Sequence, residues 1–308
     1  MLRRSFFPSA LGTALAAPIL WGRHRIDLSR ISLLTDEVGK SPAESIAFAK
    51  QYGIQWVELR GIPGKGTTYA FLPEPELRDF ARTLKDADLR VSFLNTPMLK
   101  FGLPGTEPRR RRPETAEEKT KRQDREKKSF DDRLAALDKA ILAAHILGVK
   151  GIRVFAFSRV EEPETVLPKV AEVLTEMAKV AEKQGVQLLI ENEASCNVGT
   201  SAELRRICEL VPSKSFGVNW DPVNAMSLKE TPWPDGYKLL PHKRVHNVQM
   251  KARALVIGPE FLDWKAIYNQ LDSDGYAGKV GLETHVFDGT LIEKAHLSMK
   301  KIQELVKA

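Results

Sequence analysis

Apolar residues along this chain fall into two alternating kinds of stretch. Short unbroken runs such as Leu188-Leu189-Ile190 stop at a polar residue, here Glu191. Longer stretches repeat apolar residues at helical spacing, as in Val166, Leu167, Val170, Val173, Leu174, Met177 and Val180. The first pattern predicts strands buried on both faces, as in parallel sheets. The second predicts amphipathic helices whose stripe is core packing, so Met177 is no cofactor ligand.

Read this way, the chain predicts strands over 31–34, 54–59, 89–94, 152–155, 188–191, 216–220, 244–250 and 279–283. Helices are predicted between them. Ser41-Pro42-Ala43-Glu44 has the order of a helix start: a capping Ser, Pro at the first position, and Glu three after the cap. Phe130, Leu134, Leu137, Ile141 and Ala144 share one helical face that stops at Gly148. Further helices are expected at about 74–86, 201–210, 261–271 and 289–306. Alternating strands and helices argue a parallel sheet, and eight repeats argue a closed (β/α)8 TIM barrel, one domain over residues 31–308. No G-x-G-x-x-G and no P-loop is present, so nucleotide-binding folds lose support.

Two segments depart from the alternation. Residues 102–128 are Pro-rich and then densely charged, without an apolar stripe. They predict a solvated insertion merging into a helix; a basic lid over an anionic substrate is the sharper alternative. Residues 1–17 pair Arg3-Arg4 with a short apolar stretch and Ala14-Leu15-Ala16, the layout of a twin-arginine signal peptide. A linker over 18–30 would follow. Export, to a periplasm, is the expectation; a cytoplasmic protein with a frayed terminus is the alternative. The apolar run is too short to span a membrane.

The net charge of +7 changes this picture little, because residues 109–128 hold ten Arg/Lys against five Asp/Glu. A basic balance that local does not predict a nucleic-acid surface. Cys196 and Cys208 form no metal motif, and reduced thiols are expected over one bridge.

The candidate chemistry lies where the apolar runs stop. Glu191, Asp221, Gln249 and Glu283 end the last four strands, on the barrel face where active sites sit. Hard oxygen donors suit Mg²⁺ or Mn²⁺. Glu191-Asn192, Trp220-Asp221-Pro222-x-Asn224-Ala225, Gln249-Met250-Lys251 and Leu282-Glu283, with Val57-Glu58-Leu59 earlier, resemble the xylose isomerase-like TIM barrels of the sugar phosphate isomerase/epimerase superfamily. The resemblance covers about residues 31–306.

That resemblance implies one divalent metal held by Glu191, Asp221, Glu283 and a fourth strand-end residue. Mn²⁺ or Mg²⁺ is expected first, with Co²⁺ or Zn²⁺ as alternatives. The family has His at the fourth position and a Lys-Asp pair two residues on; here stand Gln249 and Lys251-Ala252. A Gln carbonyl is a weaker ligand for a transition metal than imidazole. The resemblance further implies that Glu191 and Glu283 transfer a proton through an enediolate of a small carbohydrate. Glu58, Asn95, Arg153, Asn224, His246, Lys251 and His285 are then candidate contacts for substrate hydroxyls. His246 is an odd step from Gln249 along the strand, which turns it to the other side.

A sugar or sugar phosphate isomerase/epimerase is therefore the leading expectation. A lyase acting on keto-sugars or keto-glycosides is the second, and a non-catalytic sugar-binding barrel the third. An apurinic endonuclease fits poorly, because that site is rich in His and this chain has six in all. No nucleic-acid partner is expected, and a homo-oligomer is left open.

Overall fold

The computed structural model describes residues 26–110 and 112–307. The expected signal segment lies outside the described residues. Eight strands form a closed parallel barrel in chain order: β1 Ile31–Leu34, β2 Trp56–Leu59, β3 Arg90–Leu94, β4 Gly151–Val154, β5 Gln187–Glu191, β6 Phe216–Trp220, β7 Val245–Lys251 and β8 Lys279–Glu283. Leu33 of β1 stands opposite Leu282 of β8, which closes the ring. Each predicted strand is found, because unbroken apolar runs have no stable place except between a helical layer and a barrel interior.

The helical layer comprises α1 Pro42–Gln51, α2 Glu74–Asp86, α3 Ala116–Asp131, α4 Arg133–Leu147, α5 Leu167–Lys183, α6 Ser201–Leu210, the short α7 Pro222–Met226, the single turn α8 Tyr237–Leu239, α9 Trp264–Ser273 and α10 Leu291–Lys307. Ser41 caps α1 by accepting from Glu44 N–H, with Pro42 at the first position. Glu44 itself turns to Lys40 N–H, so the reciprocal half of the box is not closed there. α6 does close it, through Thr200 and Glu203. The α5 stripe of Val170, Val173, Leu174 and Met177 is buried, as its spacing requires. Among the described residues no helix is long and apolar enough to cross a membrane.

The charged insertion is more ordered than its sequence indicated. Residues from Ala116 onward form α3, begun by a capping box between Thr115 and Glu118. Arg122 is buried and binds Glu107, Glu114 and Glu126 at 2.8–3.0 Å. Arg109 pairs with Glu161, Arg112 with Glu118, and Lys127 with Asp131. Many of the described basic residues of this segment are thus paired with nearby carboxylates.

One feature of the barrel interior departs from the usual filling of branched apolar side chains. Ser32, Glu58, Asn95, Asn219, Asn247 and Gln249 are all buried within it. This polar layer lies directly beneath the strand ends that carry the candidate chemistry.

Candidate active site

The site is built on four consecutive strand ends that are tied together by short-range chemistry. Asp221 follows β6 and caps α7, accepting from Asn224 N–H at 3.0 Å with Pro222 at the first helical position. Asn192, just after β5, accepts from Asp221 N–H at 2.8 Å and donates to the Asp221 carbonyl at 2.7 Å. Asn224 donates back to the Asn192 carbonyl at 2.9 Å. The Glu-Asn and Asp-Pro-x-Asn pieces of the sequence are thus two halves of one clasp, which fixes Glu191 beside Asp221.

Glu191, Asp221 and Glu283 are buried, and each offers a carboxylate oxygen within 4.8 Å of the others'. Each has its own cation. Arg153 donates to Glu191 Oε2 at 3.0 Å, and Asn219 donates to the same oxygen at 2.7 Å. Arg60 donates to Glu283 Oε1 at 2.9 Å. Lys251 Nζ lies 2.7 Å from Asp221 Oδ2 and 3.7 Å from Glu283 Oε2, and donates to Asn224 Oδ1 at 2.6 Å. Burial pushes Asp221 up, as do the charges of Glu283 and Glu191, to about 6 in spite of Lys251. Burial would raise Glu283 as well, but Lys251, His285, Arg60 and Arg153 hold it well below the usual carboxylate range.

Gln249 and Lys251 alternate with Asn247 along β7 and share its inward face. Gln249 donates to Glu58 Oε2 at 2.7 Å, while its carbonyl oxygen is buried without a hydrogen-bond partner. The carboxylate of Glu58 also accepts from Ser32, Asn95 and Asn247 at 2.9–3.2 Å. Four neutral donors partly offset the cost of burying it, and burial still raises its pKa. Asn247 donates on to Asn219, linking this layer to Glu191.

These placements revise several sequence expectations. Glu58 is 0% exposed and accepts from four protein donors, which places it in the floor of the site. Asn95, whose amide is committed to Glu58, belongs to the same layer. His246 lines a cleft with Trp56, Gln187 and Lys279, all at strand starts, and so faces the opposite end of the barrel. Lys251 is committed to Asp221 and Asn224 and not to open space. Arg153 acts on Glu191. Asn224 also approaches Glu191 Oε1, at 3.4 Å. His285 stands at the rim, 41% exposed, with Nδ1 3.5 Å from Glu283 Oε1. Its backbone is left-handed, with φ 53°, and its N–H donates to Glu37 at 2.6 Å.

Sequence reasoning missed Arg60 and Glu37. Arg60 also binds Asp36 at 2.9 Å and Glu37 at 2.6 Å, so it joins the β1 loop to β8. Its signal was its position two residues after Glu58, on the same face. Glu37, Glu283 and His285 form a second oxygen and nitrogen cluster. The Arg60 guanidinium lies within it, bonded to both carboxylates, which makes it an ion-pair network.

A closed eight-stranded parallel barrel with this clasp and acidic mouth defines the class. The chain belongs to the xylose isomerase-like TIM barrel family, whose model matches residues 46–305. No curated protein matches the chain by sequence. Among solved structures it is similar to the apo 3-keto-D-glucoside 4-epimerase YcjR from E. coli, at 17% identity and TM-score 0.62, over 91% of this chain and 99% of that one. It is also similar to the IOLI protein with a bound zinc atom, at 16% identity and TM-score 0.66, over 90% and 98%. A xylose isomerase-like TIM barrel protein from Mycobacterium smegmatis in complex with magnesium gives 15% identity and TM-score 0.61, over 90% and 97%. At these identities the likeness shows the fold.

Proposed function

We propose that the chain is a metal-assisted sugar isomerase or epimerase that moves a proton at the carbon beside a carbonyl. The observation that carries this reading is the convergence of Glu191, Asp221 and Glu283 at the C-terminal mouth of the barrel. Their donor set fits a hard divalent ion, Mn²⁺ or Mg²⁺ first, with Co²⁺ or Zn²⁺ as alternatives. The Asp221 Oδ2, Glu283 Oε2 and Gln249 Oε1 atoms are buried and make no well-directed hydrogen bond, which leaves them acceptor capacity for a cation. When bound, such an ion would polarise the oxygens of a ketose.

The remaining work belongs to the chain's own side chains. Lys251, His285, Arg60 and Arg153 hold Glu283 as the carboxylate, the form that a base requires. Glu191 is held by Arg153 and Asn219 through one oxygen, which leaves Oε1 toward Asn224 and the mouth. Two carboxylates on either side of one carbon can remove and return its proton. Asp221, capped into α7, serves as a ligand only. His285 at the rim is placed to donate to a substrate hydroxyl. The neighbouring structures described as an epimerase and as zinc and magnesium complexes support this reading.

Incubation of the Mn²⁺-loaded protein with ketoses and keto-glycosides in D₂O tests it. Deuterium should enter beside the carbonyl, and should not in Glu191→Gln or Glu283→Gln. Loss of a β-substituent along with exchange would assign the lyase reaction on the same scaffold. Metal bound without exchange into any of these sugars would overturn the enzyme reading and leave a sugar-binding barrel.

A further inference from the structure

Among the described residues, Lys251 is the cation that reaches two of the three candidate metal ligands, Asp221 and Glu283. Arg153 and Arg60 approach Glu191 and Glu283 through the oxygens Oε2 and Oε1, respectively. Lys251 instead addresses Asp221 Oδ2 and Glu283 Oε2, two of the atoms left without a directed hydrogen bond. Its side chain is 5% exposed and is anchored by Asn224 Oδ1 at 2.6 Å. An ammonium reaches its oxygen partners at about 2.7–2.9 Å. A divalent ion needs the same oxygens at about 2.0–2.6 Å. Both cannot occupy the space between Asp221 and Glu283.

We propose that Lys251 is a built-in counter-ion that occupies the cation seat between Asp221 and Glu283 and is displaced when a divalent ion binds. The inference rests on the metal-assisted reading above and adds a competitor to it. Without metal, the ammonium offsets the repulsion of three buried carboxylates. With metal, it must withdraw along Asn224, a neutral acceptor that keeps a hydrogen bond available outside the seat. Lys251 is thereby a positioning residue that sets how readily the protein loads. It also favours ions that bind carboxylate strongly enough to evict an ammonium.

The test is calorimetric titration of the full chain with MnCl₂, comparing wild type, Lys251→Met and Lys251→Gln, with melting curves in parallel. Removing the competitor should tighten Mn²⁺ binding at least about tenfold. It should also lower the melting temperature without metal and enlarge the rise that Mn²⁺ produces. If Lys251→Met is obtained folded only in the presence of Mn²⁺, that rescue supports the same conclusion. Wild type that binds Mn²⁺ as tightly as both variants, or more tightly, would overturn the displacement while leaving the metal-assisted reading intact. Folded proteins that all fail to bind Mn²⁺ would overturn both.

Discussion

Arg60, after β2, donates from Nη1 to Oε1 of Glu283, at the end of β8, across 2.9 Å. The two residues are 223 positions apart and the β1 strand lies between their strands. A guanidinium forks, so the same side chain also grips Asp36 and Glu37 and fixes the direction of the proposed base.

Arg60→Gln should therefore lower deuterium exchange into substrate by about 10–100-fold, the usual cost of removing a partner that orients a site carboxylate. Arg60→Lys should recover only part of that loss, because an ammonium cannot bridge three carboxylates in one plane. Exchange rates within twofold of wild type for Arg60→Gln would show that Glu283 needs no such support.

Gly281 lies two residues before Glu283, against the polar layer. A Cβ at that position would collide with the Oε1 atom of Glu58 and sit 3.2 Å from Gln249 Oε1. Neither neighbour has room to retreat, since Glu58 is held by four donors. Gly281→Ala should cost about 1–3 kcal/mol in denaturant unfolding, the range for overpacked interiors. An unchanged midpoint would mean that the layer rearranges freely.

Glu203 links the cap of α6 to the loop after β4. It accepts from Gly199 N–H at 2.7 Å and Thr200 N–H at 3.0 Å, and pairs with Arg159 at 2.6 Å. Burial would raise its pKa, but Arg159 and the two amides hold it below the usual value of 4.5. A depressed carboxylate stabilises the fold above its unfolded pKa, and that contribution fades as pH falls through the folded one. Glu203→Gln should thus cost about 1–3 kcal/mol at neutral pH, the range for losing a hydrogen-bonded charge partner, because Arg159 is half-buried and keeps the Cys196 carbonyl. The gap from wild type should narrow below pH 4.5. Stability curves against pH for the two proteins check both the size and the sign.

Cys196 and Cys208 are both free and buried. Burial raises Cys196 to about 12 and Cys208 to about 11. The thiolate is the reactive form, so a disulfide-exchange reagent at pH 8 should label neither in the native protein. Both should react after unfolding. Rapid labelling of native protein would contradict the packing around these thiols.

The strand pattern determined the barrel. Unbroken apolar runs ending in Glu191, Asp221 and Glu283 require a doubly covered parallel sheet, and the period of the runs sets which side chains reach its mouth. The α1 start was equally legible, because capping depends on residues three apart in sequence. What a single side chain does at that mouth was not legible. Gln249 and Lys251 share a face of β7, and only the three-dimensional structure sends one to Glu58 and the other to Asp221. His246 is one residue from Asn247 and lies at the opposite end of the barrel, among the strand starts. Arg60 and Glu37 became site residues only when β1, β2 and β8 were brought side by side. Period and capping are local and can be read along a chain. Ion pairing among buried charges is decided by distances of a few ångströms between distant segments, and closing the barrel sets those distances.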